Sequence, residues 1–192
     1  MLKIETYIPK PEGLVQNYLI EKLNSGYSGN IYKDYPELCY IPLDDSEKIK
    51  ELIQNDEIES SYIQTCIVIK NGNDILLGFE LNGLNLWDEI IFSLRNLVEE
   101  AESERLFGID PIILKMKINN EQIEWKIYDE EPPYKVYYQS KVNRIEFIEE
   151  IMDAGKNYYE TMTKYFPKEK SFKEHKKMLS KIGKKLLKLG SK

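Results

Sequence analysis

Residues 112–128 read IILKMKINNEQIEWKIY. Ile112, Leu114, Met116 and Ile118 alternate with Ile113, Lys115 and Lys117; after Asn119-Asn120 the pattern resumes, with Ile123, Trp125 and Ile127 against Glu124, Lys126 and Tyr128. A strand turns successive side chains to opposite faces, so this period of two predicts antiparallel strands with one face buried and one in water. Asp129-Glu130-Glu131-Pro132-Pro133 makes a wider turn into a third strand, Tyr134–Gln139. Lys115, Lys117, Glu124, Lys126 and Lys135 are expected to share the wet face, where each cross-strand ion pair contributes some tenths of a kcal/mol, up to about 1.

Upstream, the β-prone runs Ser61–Lys70 and Ile75–Leu81 flank Asn71-Gly72-Asn73, a hairpin signal. Both runs are apolar on both faces near their centres, which predicts interior strands. Between the two β blocks, residues 86–103 space Leu86, Trp87, Ile90, Ile91, Leu94, Leu97 and Val98 as a broad helical stripe, with Asn85 as the expected cap and Asp88 three residues on. Leu2–Ile8 reads as a short strand ended by Pro9 and Pro11. A helix over 12–24 follows, stopped by Asn24-Ser25-Gly26. Residues 25–43 look irregular, and Asp44-Asp45-Ser46 opens a short helix through Ile49, Leu52 and Ile53. Downstream, Asn143 with Glu146 starts a helix that runs to about Phe166 and is broken by Pro167; Ser171 with Glu174 starts another, which Gly190 ends.

The elements do not alternate βαβ. The expected fold is therefore α+β: a single domain with a largely antiparallel sheet of about five strands, hairpin plus meander, covered on one face by helices. Residues 1–166 form an acidic domain and 167–192 a basic amphipathic C-terminal helix. At 192 residues, 42% hydrophobic and 31% charged, the chain can bury a real core. The N-terminus lacks an apolar run with a small-residue cleavage site, so no signal peptide is expected. Cys39 and Cys66 form no disulfide framework, and a buried reduced thiol at Cys66 fits a cytoplasmic location.

Charge is unevenly placed. The net charge is -6, yet residues 164–192 hold eleven lysines against Glu169 and Glu174, a net +9 that leaves -15 on residues 1–163. An acidic body repels phosphates, which argues against nucleic acid and fits solubility or a basic protein partner. Within the tail, Phe172, His175, Leu179, Ile182, Leu186 and Leu189 form one stripe in steps of three and four, and Lys173, Lys176, Lys177, Lys181, Lys184, Lys185 and Lys188 fill the remaining arc. Three readings stay open: docking on an anionic membrane, binding nucleic acid, or packing the stripe on the same domain or on a second copy as a homodimer. Packing is favoured, because most helical stability comes from burying such a face. Gly183 in mid-helix loosens the helix when isolated.

No residue pattern carries obvious chemistry. His175, the one histidine, falls on the apolar stripe and reads as a packing residue. Cys39 lacks an identifiable base, the acidic pairs lie on wet faces, and no spacing suits a metal or cofactor. The 25–43 loop gathers Tyr27, Tyr32, Tyr35 and Tyr40 with Asp34 and Glu37 between them. Tyrosine offers large contact area with a polar tip, so this loop is either pinned down by its own rings or a binding surface.

In size, acidity, α+β pattern and lack of a catalytic motif, the chain is similar to the small bacterial immunity proteins that neutralise secreted toxins. The similarity is of general character, and no residue is carried over from it. It implies a cytoplasmic, non-catalytic protein whose acidic surface and tyrosine loop engage a basic toxin or nuclease. The alternatives are an adaptor docking through the lysine-rich helix on membrane or nucleic acid, and an enzyme centred on Cys39 or a carboxylate pair.

Overall fold

The computed structural model describes residues 1–108 and 110–189. Among them, seven helices and two antiparallel sheets make an α+β fold. The first sheet is built from β1 (Leu2–Pro9), β2 (Tyr40–Pro42), β3 (Gln64–Asn71) and β4 (Asp74–Leu77) in the order β2-β1-β3-β4, with β5 (Asn82–Leu84) also pairing β3. The second is a meander of β6 (Glu102–Leu106), β7 (Ile112–Asn119), β8 (Gln122–Asp129) and β9 (Val136–Asn143). Nine strands in two sheets thus replace the expected five in one. β2, β5 and β6, which the sequence does not announce, are short, and β6 reads Glu-Ser-Glu-Arg-Leu, too polar to interrupt the helical pattern that precedes it.

The hairpin forms around Gly72, whose φ of 60° suits the left-handed turn. β3 is interior and buried on both faces, but β4 is an edge strand with Ile75 55% exposed. The meander keeps the predicted alternation: Leu114, Met116, Ile123, Trp125 and Ile127 are buried. On its wet face Lys117 stands opposite Glu124, while Lys115 bonds Glu104 at 2.7 Å and Glu102 at 3.1 Å, so β6 supplies most of the counter-charge. Lys135 lies in the turn before β9, over the Tyr137 ring.

Helices cover both faces of the first sheet. Ile4, Ile8, Ile67 and Ile69 join the main core with α5 (Leu86–Glu100) and α6 (Arg144–Tyr165). Cys66 and Val68, pointing the other way, join a second cluster beneath α1 (Glu12–Asn24), α2 (Ile31–Asp34) and α3 (Pro36–Cys39). One-face coverage was expected; β3 is apolar on both faces and calls for two layers. Residues 25–43 are more regular than expected, holding α2, α3 and β2.

Helix ends correct two further expectations. Asn85 adopts φ 56° and its side chain caps nothing. Ser171 forms no capping box; instead the Glu169 carboxylate accepts the Ser171 N–H at 3.2 Å as α7 (Ser171–Lys188) begins. Gly190, the expected stop, lies outside the described residues. Asn143 does cap α6, accepting the Glu146 N–H at 3.1 Å, and the Glu146 carboxylate accepts the Leu2 N–H at 2.6 Å, tying β1 to α6.

The stripe of α7 is buried in the main core: Phe172, Leu179, Ile182 and Leu186 pack with Trp87, Ile151 and Tyr159. Glycines permit the close approach. A Cβ at Gly155 would stand 2.5 Å from Leu179 Cδ2, and one at Gly183 would run into the Met152 thioether. Gly183 is therefore a contact point of α7, and its cost in helix propensity is offset by packing.

Candidate functional site

The tyrosine loop begins where α1 ends. Gly26, at φ 85°, reverses the chain so that the Tyr27 N–H bonds the Lys22 carbonyl at 3.0 Å, a Schellman closure. The Tyr27 hydroxyl donates to Asp34 at 2.6 Å, and burial followed by that carboxylate pushes the hydroxyl up to about 12. Tyr35 packs edge-on against Tyr27 and carries Lys22 Nζ 3.8 Å from its ring centre. Tyr40 points inward and is 3% exposed, so it cannot present a contact surface as expected. Its hydroxyl donates to the Phe79 carbonyl at 2.7 Å and accepts from Asn82 Nδ2 at 2.9 Å. The loop is pinned by its own rings, leaving Tyr32, Asp34, Glu37 and parts of Tyr27 and Tyr35 at the surface.

A cleft of about 410 Å³ opens at the end of β1, between the start of α1, Tyr32, the segment after α4 (Ser46–Gln54) and the β3–β5 pair. Two neighbouring hollows, of about 360 and 220 Å³, share Lys10 with it, and Glu37 and Tyr40 line the first of these. Lys10 is held at the common rim, donating to the Glu37 carbonyl at 2.8 Å with Tyr18 beside it.

Glu12 enters the cleft from the first turn of α1. Glu57 enters through a second Schellman closure: Asp56 takes φ 56°, its N–H bonds the Ile53 carbonyl, and the Glu57 N–H bonds the Leu52 carbonyl at 2.8 Å. Neither carboxylate is in an ion pair among the described residues. Tyr62 stands at the rim, 69% exposed, and Asn82 is fixed by the Tyr40 hydroxyl. The Tyr32 hydroxyl is pushed up by burial first, then by Cys39 and Glu12. Residues 10–62, which supply most of the cleft lining, carry eleven acidic and five basic side chains, a net -6. Along α1, Leu14, Ile20 and Leu23 are each about half exposed, and Leu14 lines the smaller hollow.

A second polar cluster ties three helices together. Asp88 Oδ1 on α5 accepts the Tyr159 hydroxyl of α6 at 2.7 Å and lies 2.8 Å from His175 Nδ1 of α7. His175 also meets Phe92 and Tyr159 edge-on. The Asp88 hydrogen bond raises the His175 pKa above its ordinary 6.5. A raised pKa means that the charged pair stabilises the fold fully below the unfolded value and loses that contribution as pH rises through the folded one. His175→Gln is accordingly expected to cost roughly 1 kcal/mol more near pH 6 than near pH 9, read as the difference in urea midpoints between variant and wild type at the two pH values. Equal costs at both would show that the imidazolium contributes nothing.

Cys39 and Cys66 are buried and unpaired; burial raises both thiols, Cys66 to about 12. A thiol so held is a poor nucleophile at neutral pH. No group of three or more metal-ligating side chains clusters among the described residues, and no described helix is long and apolar enough to cross a membrane. Of the tail lysines, Lys176 bonds Glu160 at 2.6 Å, while Lys173, Lys177, Lys181, Lys184, Lys185 and Lys188 are exposed. Comparison with protein-family models, curated proteins and solved structures finds no match.

Of the residues singled out from sequence, the cleft and its neighbouring hollows gather Tyr32, Glu37 and Tyr40; Tyr27 and Tyr35 pack in the same cluster as Tyr32 and Tyr40, and Asp34 stays exposed, bonded to the Tyr27 hydroxyl. Glu12, Glu57, Tyr62 and Asn82 were missed. The one available signal was the pair of reversals at Gly26 and Asn55-Asp56, each followed by an aromatic or acidic residue.

Proposed function

We propose that this chain is a non-catalytic, cytoplasmic protein-binding protein of immunity- or antitoxin-like character, whose acidic cleft face engages a basic protein. The observation that carries the reading is the cleft itself: concave, rimmed by an exposed tyrosine, lined by two carboxylates that form no ion pair among the described residues, within a segment of net -6. Aromatic anchors within a polar rim are the usual anatomy of a protein interface, and complementary charge speeds encounter with a basic partner. The half-exposed Leu14, which lines the neighbouring 220 Å³ hollow, extends the face with apolar area. The rival surface, the lysine arc of α7, has its apolar side already used in the core, so it lacks the free hydrophobic face an amphipathic membrane anchor inserts.

Purification from native cells at low ionic strength tests the proposal. A basic protein is expected to co-purify with the wild type, to be released by salt, and to be reduced at least about tenfold with Glu12→Gln, Glu37→Gln and Glu57→Gln combined. Recovery of nucleic acid or lipid, or equal recovery of protein by the variant, would overturn it.

A further inference from the structure

The lining of the 410 Å³ cleft is chemically more selective than a generic acidic surface. Its floor includes Ile8, Leu52 and Ile58, able to cover an aliphatic stem. Glu12 and Glu57 enter from separate elements, and Gln64 and Asn82 bring amide groups from β3 and β5. Tyr32 and Tyr62 supply aromatic faces at two depths, the first half-buried and the second largely in solvent. Tyrosines of this same module already hold cations: Lys22 lies over Tyr35 and Lys10 beside Tyr18. Lys10 does not fill the cleft, because its Nζ is bonded to the Glu37 carbonyl.

Resting on the protein-binding reading above, we propose that the cleft is an anchor pocket for an arginine side chain of the basic partner. The stem would lie on the aliphatic floor and the guanidinium between the two carboxylates and the tyrosine rings. Arginine suits it better than lysine for physical reasons. Its guanidinium is planar, stacks on aromatic faces, is weakly hydrated, and presents five donors to several acceptors at once, whereas an ammonium is a compact, strongly hydrated point charge. Buried arginine anchors are also a common source of interface affinity, which gives one pocket weight within a larger surface.

The test is a titration of the full chain, followed by amide NMR, with N-acetyl-arginine methylamide, the corresponding lysine derivative and the neutral citrulline isostere. Arginine is expected to shift the amides of Tyr62, Gln64 and Asn82, with citrulline at least about fivefold weaker and lysine in between. Glu12→Gln with Glu57→Gln should weaken the arginine response about tenfold while the rest of the spectrum keeps its folded dispersion. Citrulline equal to arginine, lysine equal to arginine, or arginine shifts lying outside the cleft would each overturn the assignment. If arginine fails here while a basic protein co-purifies in a carboxylate-dependent way, the anchor pocket is wrong and the protein-binding reading stands. If arginine binds as described and no protein co-purifies, the reading fails and the cleft is a site for a small guanidinium ligand.

Discussion

Truncation that removes residues 168–192 is expected to give an aggregating or unfolded chain, not a folded acidic body freed of its tail. Leu179 and Leu186 are fully buried, and Phe172 and Ile182 nearly so, all within the main core. Burying one such side chain contributes roughly 1.5–3 kcal/mol, so four approach the whole stability of an ordinary domain, about 5–15 kcal/mol. Their loss would also uncover Trp87 and Tyr159, which are 1% and 0% exposed, and leave Asp88 without His175. Sedimentation and near-ultraviolet dichroism read the outcome. A monomeric truncated protein with native aromatic signals would show α7 to be an appendage.

Gly155→Val carries the second large effect. The Cβ alone would stand 2.5 Å from Leu179 Cδ2 and 3.0 Å from the Trp87 ring. Trp87 cannot easily retreat, since its indole N–H bonds Thr6 Oγ1 at 3.1 Å and its ring stacks on Tyr158. Overpacking of this kind costs about 1–3 kcal/mol and occasionally more; with a branched side chain at a helix–helix contact, about 3 kcal/mol is expected. In a chain of this size that lowers the melting temperature by roughly 6–12 °C. Gly13→Ala is the matched control: a Cβ there meets nothing within 4 Å, so stability should be unchanged or gain up to about 1 kcal/mol from helix propensity. Equal melting temperatures for Gly155→Val and wild type would mean that α6 and α7 are not in close contact.

These two glycines illustrate where sequence speaks and where it stops. Long elements announce themselves: eight-residue β7 and β8 through alternation, α5 and α6 through broad stripes, α1 through its spacing and the stop at Gly26. β2, β5 and β6 do not, because three to five residues give only a repeat or two of the alternation, and these strands are defined by the partner they pair. Asp88 reads locally as a helix-start residue, yet its partners are 71 and 87 positions away. The tyrosine loop is conspicuous in composition, but whether a ring faces in or out depends on Phe79 and Asn82 in a different segment. The cleft is assembled from Glu12, Tyr32, Glu57, Tyr62 and Asn82, which no linear spacing relates. The unequal charge was legible, and the structure changes its meaning: the lysines are the outer arc of a core helix whose apolar side is buried.

The proposed division of labour, an acidic cleft that binds and a basic helix that holds the fold, is tested most directly by site-resolved photo-cross-linking in native cells. A benzophenone amino acid is placed at Tyr62 on the cleft rim in one variant and at Lys181 on the exposed arc of α7 in another. The account predicts a discrete adduct with a basic protein from Tyr62 and none from Lys181. Adducts from Lys181 with nucleic acid, lipid or protein, with Tyr62 silent, would contradict it.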